Sequence, residues 1–234
     1  MPDNRSQSVS RCRVVALISG RGSNLKAIID AARTEDSRID VCAVVSNNAH
    51  APGLNYARAA GIAAEIVDHR AFSDRASFER ALSARIDQHR PDLVVLAGFM
   101  RVLGPAFTDH YAGRLMNIHP SLLPAFPGLH THERALAEGV ARHGATVHFV
   151  SPEVDGGPIV VQASVPVLAG DTPQTLAERV LKEEHRIYPM AIRWFAEGRL
   201  SISDGTVLLN GQRDPIQGIV SDPATRENPR KLGR

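Results

Sequence analysis

A chain of 234 residues, 43% hydrophobic and 22% charged, is long and apolar enough to bury a core of its own. Its formal charge of +2 sits at the end: from Ser221 onward four basic residues (Arg226, Arg230, Lys231, Arg234) meet two acidic ones (Asp222, Glu227), and taking those out of the totals of 27 and 25 leaves 23 of each sign. A body without net charge carries no general nucleic-acid signal, and no apolar stretch approaches the roughly 20 residues of a membrane span.

The first ten residues, MPDNRSQSVS, are polar and lack the hydrophobic region of a signal peptide. Val14-Val15-Ala16-Leu17-Ile18 is a continuous apolar run, as a parallel strand covered on both faces requires. Gly20-Arg21-Gly22 then turns the chain, and Leu25, Ile28, Ile29 and Ala32 recur at helical spacing. Val41 to Val45 repeats the strand pattern, Pro52 to Ala60 reads as a helix and Ala63 to Val67 as a short third strand. Phe78, Leu82 and Ile86 mark a helix ending near Pro91, and Leu93–Leu96 and Leu115–Ile118 complete five strands. Cys12 and Cys42 open apolar runs and read as small buried hydrophobes in a reducing compartment. The expected location is the cytoplasm.

Strands alternating with helices over short connections predict a doubly wound, mostly parallel α/β sheet. Beyond it, Thr146–Val150 and Ile159–Val167 read as two strands joined by the turn at Asp155-Gly156-Gly157-Pro158. Pro173–Phe195 is a long helix that Pro189 should kink or break. Ile202–Leu209, split by Asp204-Gly205, reads as a terminal hairpin, an antiparallel C-terminal extension. The expected organisation is one domain over residues 12–213, with a flexible N-terminus at 1–11 and a disordered tail at 218–234.

Four features carry chemistry. Ser19-Gly20-Arg21-Gly22-Ser23-Asn24 follows a strand and opens a helix, so the amides of Gly22, Ser23 and Asn24 stand at the positive end of a helix dipole and suit a phosphate. A plain strand-to-helix turn with Ser23 or Asn24 as N-cap is the alternative. The loop is neither a dinucleotide fingerprint, since Leu25 stands where a third glycine belongs, nor a P-loop. In Asn117-Ile118-His119-Pro120-Ser121-Leu122-Leu123-Pro124, strand alternation points a carboxamide and an imidazole to the same side, a hydrogen-bond donor beside an acid/base group, as chemistry at a carbonyl needs. Asp155 stands in a polar turn and either serves the turn or faces that imidazole. Glu184 falls on the inward stripe of the long helix with Leu176, Val180, Ile187 and Ala191, where an acid needs a partner, a ligand or an arginine. His130 and His132 lack neighbours at metal-ligand spacing and are expected to cap a helix beginning near Glu133.

Ser19–Leu25, Leu96-Ala97-Gly98-Phe99-Met100-Arg101, Asn117–Pro124 and Asp155-Gly156-Gly157-Pro158, in that order, make the chain similar to the phosphoribosylglycinamide formyltransferases over roughly residues 12 to 213. The resemblance implies a Rossmann-like formyltransferase fold and transfer of the formyl group of 10-formyltetrahydrofolate, a co-substrate, to the amine of 5'-phosphoribosylglycinamide, with no metal required. It implies catalytic roles for Asn117, His119 and Asp155, ribonucleotide binding by Gly22, Ser23, Asn24 and Glu184, and folate binding by Arg75, Met100, Arg101, Val102, Leu103 and Asn117. It also implies a cis peptide at Leu123-Pro124, small-molecule partners without nucleic acid or membrane, and leaves a homodimer open. Arg21 and Pro152 depart from the family pattern, in the phosphate loop and the folate-facing turn respectively. A formyltetrahydrofolate deformylase would carry an N-terminal regulatory domain and usually a histidine where Pro120 stands; a methionyl-tRNA formyltransferase would need a C-terminal RNA-binding domain. A non-catalytic nucleotide-binding module would want an acid near the end of the second strand, where Ser46-Asn47-Asn48 stand.

Overall fold

The computed structural model describes residues 11–213 and 220–221. Strands β1 (Cys12–Ile18), β2 (Ile39–Ser46), β3 (Ala63–Ile66), β4 (Leu93–Leu96) and β5 (Leu115–His119) alternate with helices α1 (Ser23–Ala32), α2 (Leu54–Ala59), α3 (Arg75–Asp87) and α4 (Pro105–His110). Then come α5 (Thr131–Ala137), β6 (Arg142–Phe149), β7 (Ile159–Pro166), the long α6 (Pro173–Ala196), the hairpin β8 (Leu200–Ser203) with β9 (Thr206–Leu209), and β10 (Val220–Ser221). The main sheet runs β10-β7-β6-β5-β4-β1-β2-β3; β1 to β5 pair in parallel, and β6 is antiparallel to both β5 and β7. The expected doubly wound, mostly parallel sheet with an antiparallel extension is the fold observed.

Alternation in β1 shows why the sheet is covered twice. Val14, Ala16 and Ile18 pack with α1 and α6, whereas Val15 and Leu17 pack with Phe78, Leu82 and Ile86 of α3 and Phe107 and Tyr111 near α4. The chain moves outward from β1 through β2 to β3, then returns to lay β4 on the other side of β1. The crevice at the carboxyl ends of β1 and β4 is therefore the switch point where open α/β sheets take ligands.

Several sequence expectations need correction. Pro189 neither ends nor breaks α6, which continues to Ala196. Ile187, Tyr188, Ala191 and Ile192 are fully buried around it, and the Tyr188 hydroxyl donates to the carbonyls of Leu96 and Met116 (3.1 and 2.9 Å). Burial of several large side chains, about 1.5–3 kcal/mol each, outweighs the roughly 3 kcal/mol of an interior proline. Helix α4, six residues with Pro105 at its start, is too short to show a period in sequence. Strand β6 starts at Arg142, not Thr146, because Gly144 and Ala145 hide its pattern. Cys42 lies inside β2, half-buried, not at a buried strand start; both thiols are free. Of the segment expected as a tail, only Val220 and Ser221 are described, and they pair with Ala163 and Ser164 of β7. Residues 1–10 and the rest of that tail lie outside the described residues. Among the described residues no helix is long and apolar enough to cross a membrane.

Candidate active site

Three loops meet at the switch point: residues 19–22 after β1, 97–104 after β4 and the segment after β5. They border a cleft of about 1350 Å³ that runs from Gly22 past Gly98 and Met100 to Ile118 and on to Glu184.

Gly22 is the N-cap of α1, with φ 75° in the left-handed region. A β-carbon there would stand 2.7 Å from the Gly53 α-carbon, so both backbone conformation and close approach require glycine. No side chain caps this helix, which removes the reading of Ser23 or Asn24 as N-cap and leaves the first amides open to an anion. Asn24 instead turns its side chain inward: Nδ2 donates to Glu184 Oε2 at 2.6 Å, with both residues 8% exposed. The protein partner of Glu184 is thus not the anticipated arginine but the carboxamide of the loop, and Glu184 also borders the cleft. Burial pushes the Glu184 carboxyl above its ordinary range, and the Asn24 hydrogen bond partly offsets this. Asn24 Oδ1 is buried without a hydrogen-bond partner among the described residues.

Ser19 ties the first loop to the second. Its hydroxyl donates to Asn47 Oδ1 (2.6 Å) and accepts from the Met100 amide (2.7 Å), while its own amide donates to the Gly98 carbonyl. At the other end of the second loop, buried Glu79 accepts from the Gly104 amide (2.8 Å) and faces Arg75 Nε at 3.6 Å. Met100 and Val102 are exposed and Leu103 is packed into the core beneath them. Met100 and Arg101 border the cleft, whereas Arg75 stands beside Gly104 at the start of α3.

Asn117 and His119 close β5, and the turn between β6 and β7 brings Asp155 to His119. Asp155 adopts φ 54°, a conformation short polar side chains tolerate. A β-carbon on Gly157 would stand 1.9 Å from the Phe149 carbonyl oxygen, so only glycine lets this turn fold back on β6. Asp155 Oδ2 accepts from the Gly128 amide (2.8 Å) and lies 3.4 Å from His119 Nδ1. His119 Nε2 is 2.9 Å from the Phe126 carbonyl. Both ring nitrogens therefore face oxygen acceptors. His119 is 5% exposed, and its neighbours Ile118 and Pro120 border the cleft. The Leu123-Pro124 peptide is cis.

One residue of this cluster has no counterpart in the sequence reading. His148 stands opposite Asn117 in the β5–β6 pairing, is 1% exposed, and reaches Asn117 Nδ2 through Nε2 at 3.2 Å and Asp155 Oδ1 at 3.7 Å. Its Nδ1 lies 3.0 Å from the Phe149 carbonyl, and burial lowers its proton affinity. Its signal in sequence was register: pairing His119 with Thr146 puts 148 across from 117. His130 holds the N-cap position of α5 as expected, whereas His132 lies inside the helix. α5 begins at Thr131, the His130 side chain makes no cap bond, and His132 lies 5.2 Å, ring to ring, from buried His143. Among the described residues no group of three or more His, Cys, Asp or Glu is placed to hold a metal ion.

A cleft at the switch point of a doubly wound sheet, with the open start of α1 at one side and Ile118 and Pro120 at the other, carrying Asn117, His119 and Asp155 just behind its lining, is the arrangement of a group-transfer enzyme. Residues 12–192 match the formyl transferase family, to which the chain belongs. It is 55% identical to the phosphoribosylglycinamide formyltransferase of Escherichia coli K12, over 89% of this chain and 99% of that protein. It is 42% identical to the Haemophilus influenzae enzyme of the same name, over 90% and 99%. The structure is similar to that of the phosphoribosylglycinamide formyltransferase of Coxiella burnetii, solved in complex with CHES (TM-score 0.85, 47% identity, 92% of this chain and 100% of that one).

Proposed function

We propose that this enzyme transfers the formyl group of 10-formyltetrahydrofolate to the glycinamide amine of 5'-phosphoribosylglycinamide, giving the formylated ribonucleotide and tetrahydrofolate. The observation that carries this reading is the gathering of His119 and Asp155, with Asn117 joined to them through His148, at the end of β5, beside a cleft that leads to the open α1 amides. The ribonucleotide phosphate binds on the amides of Gly22, Ser23 and Asn24, and its ribose hydroxyls donate to Glu184. The pterin lies along Met100 to Leu103, with Arg75 toward the anionic glutamate end. Glu79 supports this arrangement by gripping both the Gly104 amide and Arg75.

Catalysis is first a matter of proximity: two bound molecules place an amine against a formyl carbon. The amine nitrogen forms the new C–N bond, the carbonyl electron pair moves to oxygen, and the tetrahedral oxyanion accepts a hydrogen bond from Asn117 Nδ2. Collapse restores the carbonyl and breaks the bond to N10, which leaves with a proton supplied through His119. The Asp155 carboxylate, 3.4 Å from Nδ1, favours the ring that carries this proton. The amine loses its proton to water beside Asp155. No covalent enzyme intermediate forms.

Oxygen labelling tests the direct route. Donor carrying a labelled formyl oxygen should yield ribonucleotide product that keeps the label, read by mass spectrometry. Product carrying solvent oxygen, with label in free formate, would overturn it.

A further inference from the structure

We propose that His148 is a positioning residue that orients the Asn117 carboxamide toward the oxyanion. The inference rests on the reading of Asn117 given above. His148 and Asn117 are directly opposed in the antiparallel β5–β6 pair, so their side chains share one face of the sheet. A register shift between Val147 and His148 sets the histidine apart from the regular ladder with β7 and re-aims its ring.

The hydrogens in this cluster follow from the partners. The Phe149 carbonyl can only accept, so His148 Nδ1 donates to it. A ring that has spent its hydrogen on Nδ1 offers a lone pair at Nε2, and the group 3.2 Å away that can donate to it is Asn117 Nδ2. A neutral ring suits its place, since His148 is 1% exposed and burial disfavours the cation. The Asp155 carboxylate, 3.7 Å from Nε2, is too far to take a hydrogen bond from this ring and accepts from Gly128 instead.

One Asn117 Nδ2 hydrogen is thereby committed to His148, and the carboxamide cannot exchange its nitrogen and oxygen without setting Oδ1 against a lone pair. Among the described residues the Asn117 side chain makes no other hydrogen bond. The second Nδ2 hydrogen remains for the reaction. His148 never touches substrate; it fixes which end of the amide does.

Glutamine and asparagine separate the two ring nitrogens, because the glutamine amide reaches the Nε2 position and the asparagine amide the Nδ1 position. H148Q keeps an acceptor for Asn117 and should lower kcat by less than about tenfold. H148N keeps the bond to Phe149 but not the acceptor, and should lose about 10²–10³-fold in kcat, the size of one lost oxyanion donor, with KM for both substrates within about threefold. N117A should lose as much, and the double variant N117A/H148N no more than N117A alone. Should H148N not fold, H148Q against H148M gives the same contrast, since methionine fills the space without an acceptor. Equal loss in H148Q and the acceptor-free variant, or independent losses that multiply in the double variant, would overturn the proposal. A large loss in N117A with none in H148N would sink this inference alone, and wild-type activity in N117A would sink the oxyanion reading with it.

Discussion

Replacing Asn24 by alanine should destabilise the enzyme in a pH-dependent way. The bond from Asn24 Nδ2 to Glu184 Oε2 is 2.6 Å long and joins two residues that are each 8% exposed, so its loss removes a short contact between largely buried groups. To a carboxylate such a bond contributes about 1.5–3 kcal/mol, and to a protonated carboxyl about 0.5–1.5. Burial raises the Glu184 carboxyl above its ordinary 4.5. Between 4.5 and the raised native value the folded state holds a proton that the unfolded chain has released. Stability from this group therefore falls as pH rises through that window, then levels off. Asn24 favours the carboxylate and narrows the window; its removal widens it upward. With about 2–4 °C of melting temperature per kcal/mol at this size, Asn24→Ala should lower the melting point by about 3–12 °C at alkaline pH, where the carboxyl is ionised in both states, and by less as pH falls toward 4.5. Thermal unfolding followed by circular dichroism across that range, without ligands, reads the difference. A gap between wild type and variant that is constant, or that closes toward high pH, would refute the reasoning.

Three further outcomes follow from the geometry. His119→Ala should cut kcat by about 10²–10⁴-fold while equilibrium binding of a folate analogue is retained; near-normal turnover would remove the ring from the mechanism. Gly22→Ala must place a β-carbon 2.7 Å from Gly53 at φ 75°, so it should cost about 1–3 kcal/mol of stability and raise KM for the ribonucleotide, and unchanged melting and kinetics would contradict this. Glu79→Ala frees both the Gly104 amide and Arg75, so KM for the folate should rise while that for the ribonucleotide stays put; equal changes in both would assign Glu79 to general packing.

The parallel half of the sheet was legible because doubly covered strands are apolar throughout and short turns separate them. β6 was clipped and α4 invisible for the converse reason: Gly144 dilutes one pattern and six residues are too few for the other. Pro189 misled because local propensity was read without the packing of Tyr188 and its neighbours, which only the fold supplies. In the site, Asn117 and His119 declared themselves by spacing on one strand, and Glu184 by its misplacement on an apolar stripe. Contacts across strands and loops were not written in any local pattern. The approach of Asp155 to His119, the hold of Asn24 on Glu184 and the pairing of His148 with Asn117 join residues 31 or more positions apart, and depend on register and on the fold-back at Gly157.

The central claim is that the formyl group leaves the folate only when the amine is bound to receive it. Mixing purified enzyme with 10-formyltetrahydrofolate in one cuvette, adding 5'-phosphoribosylglycinamide midway and following folate absorbance throughout tests it. The account predicts a flat trace before the addition and a change in absorbance after it, equal in amount to the acceptor added. A steady change before any acceptor is present, unaltered by its arrival, would make the enzyme a hydrolase and contradict the account.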